Sequence, residues 1–161
     1  HRAARLALAT APADCIVVLG SGAERMVEVL GDLPVRAIRC VDCATGMAAS
    51  LQAGLRELKV ECDGALVLLT DQPGLDAAHL VTLCKRWRER PSRAVASAYA
   101  GVVGVPALLP RHWFDALMHI EGDRGARDLL RDRADEVSAI AAPALARDVD
   151  RPRDLPTLGH D

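Results

Sequence analysis

Between Gly64 and Asp71 the chain reads Ala-Leu-Val-Leu-Leu-Thr, an apolar run with no polar alternation. A strand with one wet face alternates, so an unbroken run of this length suits a strand covered on both faces. Asp14-Cys-Ile-Val-Val-Leu-Gly20 repeats the pattern, and residues 35–41 are expected as a third strand. Such strands need helices on both sides of their sheet. The intervening stretches supply them, with helices expected over residues 2–11, 22–30, 46–58, 76–90, 111–120 and 125–133. Met47, Leu51, Leu55 and Leu58 fall on one helical stripe, and Asp76 is placed to cap the helix that follows it. Further strands are expected over 93–99, 105–109 and 137–141. The alternation predicts a single α/β domain over 1–161, three-layered α/β/α around a mostly parallel sheet.

Composition narrows what such a domain does. With 20 Lys+Arg against 22 Asp+Glu, the formal charge is −2, which excludes a nucleic-acid binder that works by bulk charge. One Phe, one Tyr and two Trp leave little to stack bases on. No apolar run approaches the roughly 20 residues of a membrane span. The five cysteines are an odd number in a chain long enough to need no staples, so a reducing, cytoplasmic setting is expected.

In open α/β sheets, ligands bind beyond the carboxyl ends of the strands. Three segments stand there. Gly20-Ser21-Gly22 reads first as a tight strand-to-helix turn, and a lone GxG without a third glycine is weak evidence for phosphate. Cys40-Val-Asp-Cys43 has the C-x-x-C spacing of a zinc or redox pair, but no second pair or H-x-x-x-H completes it. Thr70-Asp71-Gln72-Pro73 ends the best strand in a carboxylate, an arrangement suited either to a hard divalent cation near phosphate or to a solvated turn.

Taken in order, five segments resemble the MobA-like nucleotidyltransferase superfamily, and within it the molybdenum cofactor cytidylyltransferases. They are Gly46-Met-Ala-Ala-Ser50-Leu51, Leu68-Leu-Thr-Asp71-Gln72-Pro73, Gly104-Val-Pro106-Ala, Gly122-Asp123-Arg-Gly-Ala-Arg127-Asp-Leu-Leu, and Asp148-Val-Asp150-Arg-Pro. The fourth is the most characteristic. The resemblance implies transfer of NMP, CMP from CTP, to a phosphorylated acceptor such as molybdopterin, with release of pyrophosphate and with Mg2+ as cofactor. It assigns Asp71 and Asp150 to catalysis and metal, with Asp148 the near alternative to Asp150. Gly46, Ser50, Gln72 and Pro73 are implied for the nucleotide, and Gly104, Pro106, Asp123 and Arg127 for the acceptor. A molybdoenzyme is an implied partner; nucleic acid and membrane are not. Arg127 is open between acceptor phosphate and a surface ion pair with Asp123 or Asp128.

The family's glycine-rich loop with Arg and Lys precedes everything matched here, and Cys43 stands where this branch often has an aromatic. A strand, loop and helix start, roughly 30 residues on the size of such units, are expected to be missing. The chain alone is then expected to be silent, because that loop would hold the outer phosphates. The alternative is a nucleotide-binding or interaction domain that keeps the scaffold without catalysis. A dinucleotide-binding dehydrogenase is disfavoured, since no full GxGxxG with a distal acidic residue is present.

Overall fold

The computed structural model describes residues 1–146. In chain order these form α1 (Arg2–Leu8), β1 (Ile16–Leu19), α2 (Ala23–Leu30), β2 (Arg36–Arg39), α3 (Met47–Glu57), β3 (Gly64–Val67), α4 (Ala77–Glu89), β4 (Ala94–Tyr99), β5 (Val102–Pro110), α5 (Phe114–Met118), α6 (Ala126–Asp132) and β6 (Val137–Ala141). Alternate residues of the central strands divide between two cores. Ala65, Val67, Ala94 and Ala96 join one with Leu55, Trp113, Leu117 and Leu130. Leu66, Leu68 and Val95 join the other with Leu75, Leu80, Leu83 and Leu6 of α1. A period of two that feeds two cores places helices on both faces. The three layers follow from that.

The expected mostly parallel sheet holds in part: β3, β4 and β6 run the same way, and β5 alone runs against them. β1 and β2 pair parallel, Ile16 opposite Arg36, in a sheet of their own. The other four strands run in the order β3-β5-β4-β6, with β5 antiparallel to both neighbours and β4 parallel to β6. The reason is local. Only Ala100 and Gly101 separate β4 from β5, both at positive φ (48° and 76°). A two-residue loop of that hand closes a hairpin and fixes β5 antiparallel.

Residues 35–41 do not form a buried strand. β2 spans four of them at an edge, with Arg36, Ala37 and Arg39 exposed, because a charge at every third position cannot be covered. Among the described residues β1 pairs only with β2, and β3 only with β5, so each keeps an open edge. Helix α3 bridges them: a Cβ on Gly54 would lie 3.1 Å from Val18 of β1, while Leu55 is buried with Ala65 of β3. Gln52 on the same helix donates to the carbonyls of Leu117, Met118 and Ile120, at 2.8–3.3 Å, and so closes the C-terminus of α5.

Candidate active site

The turn after β3 is held from several directions. A Cβ on Gly74 would stand 2.0 Å from the Ala144 carbonyl oxygen, so only glycine fits there without a shift. The Arg2 guanidinium at the start of α1 donates to the carbonyls of Gln72 (3.4 Å) and Leu75. Leu75 is buried, and Asp76 caps α4 by accepting from the His79 amide at 2.8 Å. On this pinned turn Asp71 is exposed, and among the described residues its carboxylate has no hydrogen bond or ion pair. Pro73 is exposed beside it, while Gln72 points the other way and is 4% exposed.

Gln72 reaches a break in the β4–β5 ladder. Ala96 pairs with Ala107 but Ser97 pairs with Gly104, so Val105 and Pro106 have no opposite residue on β4. A bulge of this kind leaves carbonyls outside the ladder, and buried ones need partners. The Val105 carbonyl accepts from Gln72 Nε2 and from the Tyr99 hydroxyl, each at 2.9 Å. The Pro106 carbonyl accepts from Ser97 Oγ at 2.8 Å, and His79 Nε2 lies 2.8 Å from the same hydroxyl. Ser97 has one proton, given to Pro106, so His79 must be the donor in their bond. Proline suits the bulge because it brings no N–H to satisfy.

A second junction forms where the Gly122–Gly125 loop crosses the start of α3. A Cβ on Gly46, at φ +127°, would stand 2.2 Å from the Gly122 carbonyl oxygen, and that oxygen accepts from the Ala48 amide at 3.1 Å. Gly125 lies against Met47, where a Cβ would meet Sδ at 2.8 Å. Asp123 is exposed on this loop, and Ser50 is half-buried one turn into α3. Asp128 accepts from the Gly125 amide (3.1 Å) and from Arg131 (3.0 Å). That amide bond first, then the charges of Arg131 and Arg124, hold its carboxyl below the usual carboxylate range. Arg124 pairs with Asp132 at 3.0 Å.

Arg127 is therefore left without an ion pair among the described residues; it meets neither Asp123 nor Asp128. Its stem lies over β5, with Cγ 3.9 Å from the position of a Cβ on Gly104 and the Tyr99 hydroxyl 3.2 Å from the same point. Gln72, Gly104, Pro106 and Arg127 thus gather around Tyr99 and the bulge, while Gly46 and Asp123 meet at the α3 junction. Asp148 and Asp150 lie outside the described residues. Tyr99, Ser97 and His79 escape sequence reasoning, and the one available signal is that Tyr99 is the single tyrosine of the chain.

The other candidate segments take structural roles. Gly22 is left-handed (φ +77°) at the N-cap of α2, a tight turn after β1. Cys43 is half-buried with its sulfur over Gly20, Cys40 is buried, and all five cysteines are free. Burial pushes the Cys15 and Cys84 thiols up, away from the thiolate form. Among the described residues no three His, Cys, Asp or Glu side chains gather as a metal cluster. No helix described is long and apolar enough to cross a membrane.

Known proteins resemble this chain in sequence or fold. Purine catabolism protein PucB of Bacillus subtilis (strain 168) is 31% identical over 93 residues, covering 57% of this chain and 44% of that protein. The chain thus matches less than half the length of that curated relative. Rv0371c from Mycobacterium tuberculosis H37Rv superposes over 93% of this chain and 77% of its own, with a TM-score of 0.74 and 25% identity. Its complex with manganese gives 0.76 at 23% identity over 93% and 79% of the two chains. A nucleotidyl transferase from Methanothermobacter thermautotroptrophicus gives 0.77 at 22%, over 93% and 73%. The last two identities support the shared fold alone. A model of the MobA-like NTP transferase domain matches residues 1–137, which takes in the turn at Asp71, the bulged strand and the loop before Arg127. With the α/β fold in place and four of the five ordered segments inside the matched residues, that match settles the family: the chain belongs to the MobA-like NTP transferases.

Proposed function

We propose that this chain is the core of a nucleotidyltransferase that passes CMP from CTP to a phosphorylated, molybdopterin-type acceptor. An acceptor phosphate oxygen forms a bond to the α-phosphorus, the bond to the bridging oxygen of the leaving group breaks, and pyrophosphate departs with the electron pair. The protein's share of such a displacement is alignment and positive charge. The observation that carries the reading is Arg127. It is an exposed cation with no ion pair among the described residues, and it lies across the same strand that Gln72 ties to the Asp71 turn.

Asp71 suits a hard cation, being an exposed carboxylate that no other described side chain engages. Magnesium keeps several waters and takes only one or two protein carboxylates, so Asp71 with Asp150 and phosphate oxygens meets its demand without a larger cluster. Bound there it would supply charge to the phosphates. Gly46, Ser50 and Pro73 form the nucleotide side of the reading. Gln72, which the resemblance also implies for the nucleotide, is left out because its side chain is buried against Val105. Gly104, Pro106, Asp123 and Arg127 form its acceptor side, and a molybdoenzyme is the partner that would receive the product.

The test is pyrophosphate release with Mg2+, CTP and molybdenum cofactor, with GTP in a parallel arm, on this chain and on a version extended upstream in its reading frame. Turnover is expected from the extended version with CTP and is expected to fall at least about 100-fold in Asp71→Asn, the scale of losing a charge-stabilising group. Wild-type turnover by that variant would remove Asp71 from the reaction. Faster transfer from GTP would overturn the choice of base.

A further inference from the structure

The bulge in β5 raises a question that a bystander glutamine does not answer. Gln72 follows Asp71 directly, yet its side chain is buried and spans to another strand. Its Nε2 lies 2.9 Å from the Val105 carbonyl and 3.3 Å from the Tyr99 hydroxyl, which itself donates to Val105. The amide orientation is dictated, because a flip would face Oε1 against that carbonyl. Oε1 is buried with no partner among the described residues, a cost that an ordinary loop residue has no reason to bear. Val105 lies between Gly104 and Pro106, and the Arg127 stem lies against Gly104. One side chain therefore connects the turn bearing Asp71 to the strand beneath Arg127.

We propose that Gln72 is a positioning residue: its amide clamps the Val105 carbonyl and so fixes the Asp71 turn relative to the acceptor strand. This rests on the reading of Asp71 as the metal-binding carboxylate. The clamp reaches across a place where no ladder bond can do the work. The last β3–β5 pair is Val67 with Ala107, and the last β4–β5 pair before the bulge is Ala96 with Ala107. Past those pairs the Asp71 turn and residues 105–106 are joined by side chains alone. Groups that orient a metal ligand commonly matter about 10- to 100-fold for metal affinity.

The experiment titrates Mn2+ with CTP against the version extended upstream in its reading frame, following free Mn2+ by its electron paramagnetic resonance signal. Asp71→Asn is expected to lose binding, and Gln72→Met to weaken it by about 10-fold with an unchanged far-UV circular dichroism spectrum. Gln72→Glu, read against wild type across pH, supplies a second measurement that does not depend on Gln72→Met folding. When protonated, the carboxyl introduced by Gln72→Glu can donate to Val105 as the amide does, so the variant's affinity relative to wild type is expected to rise as pH falls. Simple charge attraction of the metal to a new carboxylate gives the opposite slope. Lost binding in Asp71→Asn with wild-type binding in Gln72→Met would overturn the clamp and leave the site standing. Unchanged binding in both would overturn the reading of Asp71, and the clamp with it. A Gln72→Glu ratio that rises with pH would also overturn the clamp.

Discussion

The two sheets are built to different standards. Along β4 and β5, residues 94–97 and 104–110 are buried without a break, with helices packed over both faces. β2, by contrast, leaves three of its four residues in solvent, and α2 beside it exposes Met26, Val27 and Val29. A two-stranded sheet is marginal alone. The ion pairs at its rim, Arg39 with Glu24 at 2.7 Å and Arg36 with Asp14 at 3.6 Å, are exposed on at least one partner and contribute little. Its order is borrowed from α3, which packs Gly54 against Val18. The candidate site follows the same division. Its anchors, Gln72, Tyr99, Ser97 and Gly104, belong to the well-packed half, whereas Gly20–Gly22 and Cys40–Cys43 belong to the other.

The largest expected difference between the halves is thermodynamic. Trp113 is wholly buried in the core that joins β3, β4 and β5 to α3, α5 and α6. Trp113→Ala should cost about 3–5 kcal/mol in urea unfolding, transfer and cavity together. Val18→Ala, in half-buried β1, should cost about 1 kcal/mol by lost burial. Equal losses at the two positions would break the comparison, because β1 would then carry as much of the fold as the core around Trp113.

Glycine substitutions sharpen it further. Gly22 and Gly46 both have positive φ, but a Cβ on Gly22 meets nothing within 4 Å, while one on Gly46 strikes the Gly122 carbonyl. Gly22→Ala should therefore cost about 1 kcal/mol of backbone strain and leave CTP binding alone. Gly46→Ala must also move the 122–125 loop, so it should cost about 1–3 kcal/mol and weaken CTP binding in calorimetry. If Gly46→Ala bound CTP as wild type does, the α3 junction would have no part in the nucleotide site.

How much of this the sequence discloses depends on the range of the interaction. β3 is legible because a run of six residues declares itself locally, although the strand stops at Val67 and does not run on to Thr70, and Asp76 as a cap is legible for the same reason. The family resemblance is legible because its segments are short and keep their order. The orientation of β5 is not, since it turns on Ala100 adopting positive φ, which alanine rarely does. The Ser97–Pro106 and Gln72–Val105 bonds are beyond reach for another reason. They exist only because two strands pair out of step, and a register shift leaves no mark in either strand read separately. β2 is the converse error, an apolar-looking run whose two arginines already announced an edge.

The smallest expected effect is a response to pH confined to the well-packed half. Burial is the main cause that pulls the His79 imidazole below its ordinary 6.5, and nearby Asp76 opposes it in part. The native state therefore resists a proton that the unfolded chain accepts. Stability should be complete above the unfolded value and decline as pH falls through 6.5 toward the lower native value, because the unfolded state binds more protons there. No histidine lies between residues 2 and 78, so the β1–β2 half has no counterpart. His79→Gln keeps a donor for Ser97 but cannot titrate in this range. Urea midpoints at about pH 7.5 and about pH 5.5 should then differ more in wild type than in His79→Gln, the carboxylates being common to both. Amide exchange should show the acid-induced loosening at β4 and α4 and not at β1. Parallel midpoints in the two proteins would mean that the link from His79 through Ser97 to Pro106 tolerates the extra proton, and that acid weakens both halves through their carboxylates alone.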